Sequence, residues 1–586
     1  MDFVNWSLGQ PDNSGNENAL HLGESVGVRV PTWDDLDGLD DSIRGFVREL
    51  SADSTTVGLR YRDSLAWEGY TLFANNGGRA FYLVDNKGRT IHRWLVTDKT
   101  VGALYLLENG LVSQIGNLSN PNFLNGGRVS LIDWDGNKTW SFDYSDSIHC
   151  QHHEAMWLPN GHVAMIAWEL KSRDEAIAAG RDTTKLTAGK LWPDHIVEVD
   201  PATDSIVWEW HIWDHLIQDF DSTKENYGVV GDHPELIDLN FVDQGSPSAA
   251  DWIHANALDC DSVFDQILFC ARDFNEVWVI DHSTTTEEAG GHTGGRYGKG
   301  GDLLYRWGNP RTYRRGDTAD QILYHHHNSS WIPSGMSGAG NITVFDNGLL
   351  RPGSSYSTAV EFTPPVDSLG YYAQPGPGEP YGPAGPAWQY IADPPTSFYS
   401  SQLGSVQRMP NGNTLICEGN SGRFFEVAPD TRIVWTYMNP VIDTLPKYQG
   451  TPPAQNAVHR SPRYPLDYAG LQGHDLTPGY PVELYATRQY VGVQQDPPAG
   501  SIPVGLAVRP NPFGRQARIS FNLRRAVAAE LGIYSVDGRL VRTLPATSGT
   551  VWNGADNTGN PVGRGVYYCR LQGPAFSTTS KLVKTE

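Results

Sequence analysis

Cysteine is scarce in this sequence, with 5 residues among 586. They are scattered singly along the chain, at Cys150, Cys260, Cys270, Cys417 and Cys569. Because they are so few and so widely spaced, they exclude a disulfide-stabilised scaffold and a zinc site built on thiolates. Cys260 and Cys270 could pair across a hairpin, but two buried free thiols are the favoured interpretation.

Basic stretches and long apolar runs are missing as well. The net charge is −23, and no stripe of Lys and Arg is available to neutralise phosphates, which excludes a nucleic-acid partner. No apolar run reaches the roughly 18 residues that a membrane span needs. The first residues also lack the basic, apolar and small-residue pattern of a signal peptide. Since an acidic surface attracts anions poorly, a site for an anionic substrate would have to be local.

Turn-forming and aromatic residues are abundant, with 62 Gly, 38 Pro and 19 Trp. From residue 69 onward the chain repeats one unit: an apolar strand, a turn, and a second strand that ends in an aromatic run. Copies of this unit occur at 80–94, 128–144, 195–210, 276–307, 358–391 and 424–437. Most are preceded by a hairpin signal such as the Asn-Gly of WLPNGHV. Four-stranded units repeated in this way are typical of a β-propeller, and the six copies predict six blades.

The remaining segments differ from the repeats in composition. We expect a six-bladed propeller over 69–440, preceded by a linker over 51–68 and an acidic segment over 1–50. Residues 441–496 are rich in Pro and Tyr and lack periodicity, which indicates an ordered strap along the propeller or the closing segment of its last blade. Residues 497–586 alternate apolar and polar residues over short strands, which predicts a small immunoglobulin-like β-sandwich. The expected fold class is therefore all-β.

Polar residues at strand starts cluster between residues 251 and 348. His254 and Asn256 alternate with apolar neighbours, and Arg272 closes the apolar run that follows. Three histidines at 325–327 stand shortly before the next strand. Polar side chains at strand starts, with apolar residues behind them, describe a site rimmed by strand ends over a packed sheet.

The centre of the chain, roughly residues 69–496, resembles the bacterial arylsulfotransferase family. The likeness is carried, in order along the chain, by GYTLFANNGGRAFYLVDNKGRTIHRW, HHEAMWLPNG, DWIHANALD, ARDFNEVWVIDH, LYHHHN with the later FDNG, and NGNTLICEGNSGRFFEV. Members of this family have a six-bladed propeller. They move a sulfuryl group from a phenolic sulfate to another phenol through a sulfohistidine, without the nucleotide donor PAPS. The resemblance implies a ping-pong sulfotransferase that needs no cofactor for catalysis.

The resemblance also implies roles for individual residues. The catalytic set is His327 as nucleophile, with Arg272, His254, Asn256 and either His152 or His153. A neutral imidazole supplies a nucleophilic nitrogen near pH 7, and a guanidinium fork matches sulfuryl oxygens, so these residue types suit the reaction. Further histidines can donate to sulfate oxygens or protonate the leaving phenolate.

The histidine triplet is richer than the family pattern requires, which leaves alternatives open. The nucleophile could be His326, which we otherwise expect to bind substrate together with Asn347 and Arg351. An Asn-Gly hairpin turn is an equally good explanation of Asn347. The triplet could also bind a metal together with residues 152–154, as in a metal-dependent hydrolase. The Gly-rich insertion 282–302 is predicted to be a loop over the pocket mouth. A non-catalytic propeller that binds sulfated glycans or aromatic ligands is a further alternative.

The N-terminal segment, residues 1–50, resembles the second half of a C-type lectin-like domain. In that family the QPD and WND motifs hold Ca²⁺, and the ion coordinates sugar hydroxyls. The corresponding oxygen ligands here are Gln10, Asp12, Glu17, Asp34 and Asp35. Hard oxygen ligands of this kind are what Ca²⁺ requires. The alternative is an acidic segment that binds no ion, because the family's first half and its cysteines are absent.

The C-terminal segment, residues 497–586, resembles the FlgD-like sorting domains of type IX secretion. The motifs are PNPF at 510–513, YSVDGR at 534–539, WNG at 552–554 and GVYY at 565–568. This resemblance implies a secreted or cell-surface protein, with a periplasmic location or a generic accessory sandwich as the alternatives. The expected partners are a phenolic sulfate, a phenol and, through the lectin-like segment, a carbohydrate.

Overall fold

The computed structural model describes residues 55–242, 250–485, 506–521, 529–536, 539–573 and 576–586, and the backbone alone at 17–23 and 32–37. These last two segments are the strands Glu17–Gly23 and Thr32–Asp37, which pair antiparallel. The chain divides into two compact units, Met1–Ala486 and Thr487–Glu586. Among the described residues, every helix is too short or too polar to pass through a bilayer.

Six antiparallel sheets follow one another in the first unit, and we number them as blades 1–6 in chain order. From the inner edge outward, blade 1 consists of Arg463–Tyr464, Tyr70–Ala74, Ala80–Val84 and Thr90–Leu95; blade 2 of Thr100–Leu106, Val112–Asn117, Gly127–Ile132 and Lys138–Asp143; and blade 3 of His149–Trp157, Val163–Glu169, Asp194–Asp200 and Ser205–His211. Blade 4 consists of Ala255–Asp261, Gln266–Ala271, Glu276–Asp281 and Tyr305–Trp307; blade 5 of His327–Trp331, Ile342–Asp346, Thr358–Phe362 and Trp388–Tyr390; and blade 6 of Ser405–Arg408, Thr414–Glu418, Arg423–Val427, Ile433–Met438 and Gly58–Arg62. The six-bladed β-propeller and the all-β fold class are confirmed.

The ring is closed by segments from both ends of the propeller sequence. Arg463–Tyr464 pairs with Tyr70–Ala74 and so adds the inner strand of the first blade, not of the last. The backbone of Arg463 also exchanges two hydrogen bonds with the Gln407 side chain of blade 6, at 2.8 and 3.0 Å. The predicted linker 51–68 contains a strand, Gly58–Arg62, that extends the outer edge of blade 6. Both ends therefore meet at the junction between blades 6 and 1.

Tryptophans at the ends of the repeats join one blade to the next. At five junctions, an indole N–H from the outermost β-ladder of a blade donates to the connection between the third and fourth strands of the following blade. The pairs are Trp94 to Asp133 O at 3.1 Å, Trp140 to Asp204 Oδ1 at 2.8 Å, Trp210 to Gly301 O at 2.7 Å, Trp307 to Pro383 O at 2.8 Å and Trp435 to Asn86 O at 2.9 Å. Buried indoles need such a partner, which explains the aromatic endings of the repeats.

Short elements lie in the connections within and between the blades. Two-residue strands pair as Lys171–Ser172 with Lys190–Leu191, Leu216–Ile217 with Ile237–Asp238, and Val441–Ile442 with Leu445–Pro446. The α-helices of the described residues are Arg173–Ala178 and Thr286–Ala289, and each begins at a capping box. Single 3-10 turns occur at Thr183–Lys185, Ile212–Asp214, Val230–Asp232, Arg272–Phe274, Pro310–Tyr313, Pro395–Ser397 and Ala469–Leu471.

The second unit is the predicted β-sandwich. One sheet contains Leu506–Arg509, Ala517–Phe521 and Thr550–Trp552, and the other contains Leu540–Leu544, Glu530–Ser535, Gly565–Gly573 and Phe576–Lys584. Their core surrounds the buried Trp552, whose indole N–H donates to Ala555 O at 2.8 Å. Cys569 is buried in the same core, and all five cysteines of the chain are free.

Candidate active site

A cavity of about 410 Å³ lies where the inner strands of blades 3, 4 and 5 begin. Its titratable lining residues are His153, His254, Arg272, His327, His459 and Lys99. Among the described residues that line it there is no Asp or Glu. In a chain with a net charge of −23 this is a locally cationic site, as an anionic substrate requires.

The backbone of the inner strands aims the histidines into this cavity. Register shifts interrupt the pairing between Gln151 and Ala155, between Ala255 and Leu258, and between His327 and Ser329. His153 and His254 have φ values of 53° and 54°, in the left-handed region that side chains other than glycine seldom adopt. Bulges and left-handed residues of this kind redirect side chains and concentrate at functional sites.

His327 is held in one tautomer. Its Nδ1 lies 2.7 Å from Asn347 Oδ1, and its Nε2 accepts the backbone N–H of Leu403 at 3.2 Å. Because Asn347 donates its amide protons to Ser400 O and Leu403 O, its oxygen can only accept, so His327 carries its proton on Nδ1. Nε2 therefore carries the lone pair, and both His327 and Leu403 line the cavity.

Asn347 lies behind His327 and orients its ring. Its side chain is fully buried behind His327, and both ends of its amide are used by His327, Ser400 and Leu403. Asn347 is not among the described residues that line the cavity, so the structure does not bring this predicted substrate-binding residue to it. The residue after a strand can point into the channel or into the neighbouring blade, and here it points into the junction with blade 6.

Arg272 is placed to bind an anion. One terminal nitrogen is paired with the Asp273 carboxylate, which also lies 3.2 Å from His325 Nδ1. Burial would raise the pKa of Asp273, but the charge of Arg272 and the contact with His325 outweigh it and lower that pKa. Within the described residues the buried Nε of Arg272 has no hydrogen-bond partner. An unused guanidinium donor beside His327 suits the oxygens of a sulfuryl group.

His254 forms a carboxylate–imidazole pair with Asp251. Its Nδ1 is hydrogen-bonded to Asp251 Oδ2, and Asp251 Oδ1 accepts the indole N–H of Trp168 at 2.9 Å. The carboxylate is thereby fixed, and it holds the His254 ring through Nδ1. His254 also contacts His153, with 4.8 Å between their ring centroids.

Burial keeps three of the cavity histidines neutral at pH 7. Burial, with the neighbouring His254, holds the pKa of His153 well below its ordinary value. Burial, with the nearby Arg272, does the same to the pKa of His327, despite the opposing hydrogen bond from Asn347. Burial and then Arg460 lower the pKa of His459 to about 3. These rings are therefore hydrogen-bonding groups or nucleophiles and not cations.

His459 is a cavity residue that the sequence analysis missed. It lies in the aperiodic segment 441–485, four residues before the inner strand Arg463–Tyr464 of blade 1. The available signal was the same one that marked the other positions, a polar residue just before an inner strand. Without knowledge that this segment forms an inner strand, that signal could not be recognised.

His152 and Asn256 do not line the cavity. His152 is fully buried, stacks on Trp168 with 3.7 Å between ring centroids, and has its Nε2 2.8 Å from Asp194 Oδ1. Its Nδ1 lies 2.7 Å from His153 Nδ1, so it supports the cavity histidine from behind. Asn256 donates to His326 O at 3.0 Å and so joins the inner strands of blades 4 and 5. Adjacent strand residues face opposite sides, which is why His153 reaches the cavity and His152 does not.

His326 and Arg351 also lie away from the cavity, contrary to the expectation that they bind substrate. His326 is fully buried between blades, and burial lowers its pKa to about 3. Arg351 pairs with the Asp346 carboxylate and lies over the rings of Tyr324 and Tyr356. These contacts fix the connection after Ile342–Asp346 and leave the guanidinium outside the cavity lining.

The predicted metal site of the histidine triplet is not formed, because its imidazoles diverge. His325 faces Asp273, His327 faces Asn347, and His326 lies buried on the other side of the strand. The predicted calcium ligands Gln10 and Asp12 lie outside the described residues. For Glu17, Asp34 and Asp35 the structure describes only the strand backbone.

The insertion 282–302 does not cover the cavity. Thr284 accepts the indole N–H of Trp208 at 3.2 Å, and Gly301 O accepts that of Trp210. The insertion therefore packs against the outermost strand of blade 3, on the outside of the ring. Its prediction as a loop over the pocket mouth is wrong, because these tryptophans anchor it at the far end of the blade.

A second cavity, of about 370 Å³, is lined by later residues of the same inner strands, among them Tyr105, Trp157 and Asp259. Burial raises the pKa of Asp259 to about 7. No histidine is among the described residues that line this cavity, although Arg460 is. The nucleophilic and anion-binding groups thus gather in the first cavity, to which we assign the chemistry.

Comparison with known proteins gives one family. The model of the family described as Arylsulfotransferase (ASST) matches residues 63–439, which run from the end of Gly58–Arg62 to the end of blade 6. Among curated proteins there is no match. Similar solved structures include a protein of unknown function from Bacteroides caccae (10% identical, covering 67% of this chain and 98% of that one, TM-score 0.36). Others are a streptogramin B lyase (11%, 70% and 94%, TM-score 0.33) and the β-propeller domain of Cps50 (Swd1) from Myceliophteria thermophila (10%, 69% and 90%, TM-score 0.32).

Proposed function

Since this chain belongs to the arylsulfotransferase family, we propose that it moves a sulfuryl group from a phenolic sulfate ester to a phenol through a covalent sulfohistidine at His327. The substrates that the family implies are an aryl sulfate donor and a phenol acceptor. One observation carries the proposal: Asn347 holds Nδ1–H of His327, and the ring's other nitrogen lies in a cavity that also contains Arg272.

The first half-reaction loads the histidine. The Nε2 lone pair of His327 attacks the sulfur, the N–S bond forms, and the bond between the aryl oxygen and sulfur breaks. Charge that accumulates on the three sulfuryl oxygens is offset by the free Nε–H of Arg272 and by the backbone N–H of Leu403. Before the reaction the Leu403 N–H donates to Nε2 of His327, and it is released when Nε2 bonds to sulfur. The ring becomes cationic, and Asn347 Oδ1 accepts its Nδ1–H more strongly.

His254 transfers the phenol proton in both half-reactions. In its protonated form, hydrogen-bonded to Asp251, it gives a proton to the leaving phenolate in the first half-reaction. As neutral imidazole it takes a proton from the acceptor phenol in the second. The phenol oxygen then attacks the sulfur, the N–S bond breaks, and His327 returns to its starting tautomer.

His153 and His459 act as neutral donors in this scheme. Their lowered pKa values keep them uncharged at pH 7, so each offers a ring N–H to a sulfuryl oxygen without competing with Arg272 for the role of cation. Because the donor ester itself supplies the sulfuryl group, the proposal requires no PAPS.

We propose further that the protein acts outside the cytoplasm. The support is the C-terminal β-sandwich with the motifs at 510–513 and 565–568, which resemble those of type IX sorting domains. A fusion of residues 497–586 to a reporter in a bacterium with this secretion system should appear at the cell surface or in the medium. Retention of the fusion inside the cell would contradict this proposal.

The catalytic proposal is tested by mass spectrometry of the full chain after brief incubation with 4-nitrophenyl sulfate. We expect one sulfuryl group on His327, lost when phenol is added, and none on the His327→Ala variant. His233→Ala is the matched control, because that imidazole is a half-exposed surface group paired with Glu235. An adduct on His326 would overturn the assignment of the nucleophile. A folded protein that releases no nitrophenol from any aryl sulfate would be a binding platform for sulfated glycans or aromatic ligands.

A further inference from the structure

A second histidine cluster lies outside the cavity, at the junction between blades 3 and 4. It consists of His215, His292 and Asp302, whose ligand atoms all lie within 4.8 Å of one another. His215 follows the turn Ile212–Asp214, whereas the other two residues stand at either end of the Gly-rich part of the insertion. In the part of the chain that the structure describes, this is the one group of three or more His, Cys, Asp or Glu residues with such spacing.

The geometry of His215 indicates that a proton or a metal ion lies between its ring and the carboxylate of Asp302. Its Nε2–H donates to Ala289 O at 2.8 Å, so the neutral ring presents a lone pair at Nδ1. That Nδ1 lies 2.8 Å from Asp302 Oδ1, and His292 Nδ1 lies 2.8 Å from the same oxygen. A lone pair and a carboxylate oxygen repel each other unless a proton or a metal ion lies between them. Donation of the other ring nitrogen to a backbone carbonyl is the usual support of a metal-bound histidine.

The surroundings give the cluster a rigid base and an open side. The side chain of His215 is fully buried and that of Asp302 is 9% exposed, while that of His292 is 60% exposed. A Cβ on Gly301 would lie 2.5 Å from His215 Nε2, so glycine is needed there for the insertion to approach the ring. An ion could enter from the side of His292 and keep a water there as a fourth ligand.

We propose that His215, His292 and Asp302 bind a divalent ion of the zinc class, which fastens the insertion 282–302 to blade 3. Two imidazoles and one carboxylate suit Zn²⁺ and related borderline ions better than Ca²⁺ or Mg²⁺, which prefer oxygen ligands. The site is structural, since the insertion packs on the outside of the ring, and it is independent of sulfuryl transfer. The ion would reinforce the junction at which Trp210 donates to Gly301 O.

The proposal is tested by titrating the full chain, previously dialysed against a chelator, with Zn²⁺ in a calorimeter. We expect one ion per chain, and an affinity at least about 10-fold weaker in His292→Ala. That ring is exposed, so its removal should leave the fold intact. His233→Ala and His327→Ala should bind as the natural sequence does.

Hydrogen exchange of the insertion provides a second readout. Zn²⁺ should slow exchange of the amides at 290–301 in the natural sequence and leave it unchanged in His292→Ala. Absence of stoichiometric binding would overturn the proposal and identify the cluster as a buried His–Asp ion pair. Binding that persists in His292→Ala but disappears in His327→Ala would also overturn it, because the ion would then belong to the cavity.

Discussion

At the scale of single residues, the orientation of His327 depends on the amide of Asn347, which does not line the cavity. Asn347 fixes the ring of His327 by accepting Nδ1–H, and its own orientation is fixed by two backbone carbonyls. A nucleophilic nitrogen in the wrong tautomer has no lone pair to offer. The reactivity of His327 therefore depends on a residue that lies entirely behind it.

We predict that Asn347→Ala lowers kcat by about 10- to 100-fold, the equivalent of one lost buried hydrogen bond. KM should change little, because Asn347 does not line the cavity. The matched control is Asn341→Ala, which removes an amide of the same blade that donates to Glu361. Steady-state kinetics with 4-nitrophenyl sulfate measure both variants, and equal losses of kcat would contradict the positioning role.

The lowered pKa of His327 gives a prediction for acidic solutions. A histidine is nucleophilic only above its pKa, and burial with Arg272 nearby holds that of His327 well below 6.5. Sulfohistidine formation should thus not slow as the pH falls from about 8 to about 5.5. The measurement is the burst of nitrophenol in the first turnover, quenched in alkali at each pH. A fall in the burst rate with a midpoint near 6.5 would show an unperturbed imidazole instead.

At the scale of elements, the propeller is joined by indole donors at the rim as well as by packing within each blade. Trp435 belongs to the last blade, and its acceptor, Asn86 O, belongs to the first, so this bond spans the closure of the ring. Trp140 makes the corresponding bond to Asp204 at an exposed position between blades 2 and 3. The two sites differ mainly in burial.

We therefore predict that Trp435→Phe destabilises the protein by about 1–3 kcal/mol, because Asn86 O is left buried without its donor. Trp140→Phe should cost less than about 1 kcal/mol, since water can replace the lost indole at Asp204. Urea unfolding followed by fluorescence compares the two with the natural sequence. A larger loss for Trp140→Phe would show that burial at the closure is not what matters.

The outer hairpins of the blades could be predicted from sequence because their signals are local. An apolar strand, a polar turn and a strand with aromatic residues recur in register with the sheets, for example at 80–94 and 424–437. Polar residues next to strand ends likewise indicated His254, Arg272 and His327, which the structure brings together.

The features of the site that could not be predicted from the sequence depend on pairing between distant segments. His459 reaches the cavity because Arg463–Tyr464 pairs with Tyr70–Ala74, some 390 residues earlier in the chain. The position of Arg351 in the sequence predicts a cavity residue. The sequence does not show that Asp346 and two tyrosines hold this side chain elsewhere. Local patterns fix strands, whereas the direction of a side chain at a blade junction depends on the neighbouring blade.

At the scale of the whole molecule, the charge of the surface opposes the charge of the site. The chain has a net charge of −23, while the cavity contains Arg272 and Lys99 and no carboxylate among its described lining residues. An anionic donor is therefore repelled at long range and attracted at short range. Salt screens exposed, distant charges more effectively than buried, close ones.

It follows that kcat/KM for 4-nitrophenyl sulfate should rise with ionic strength, by about two- to fivefold between 0.02 and 0.2 M NaCl. Most enzymes that attract charged substrates by their surfaces show the opposite trend. An uncharged acceptor phenol should show little dependence on salt in the second half-reaction, which serves as the internal control. A decrease of kcat/KM with salt would mean that the cationic site dominates at long range.

The closure of the ring has a consequence for the synthesis and folding of the protein. The inner strand that completes the first blade is synthesised after all the others, and His459 and Arg460 precede it directly. Arg460 also contacts Glu154 and the backbone of Asn256, in blades 3 and 4. A nascent chain that has made every other cavity residue thus still lacks the segment that completes the site. The proposed catalytic centre is therefore complete only after this last inner strand has paired, and a copy whose ring has not closed lacks His459 at the cavity.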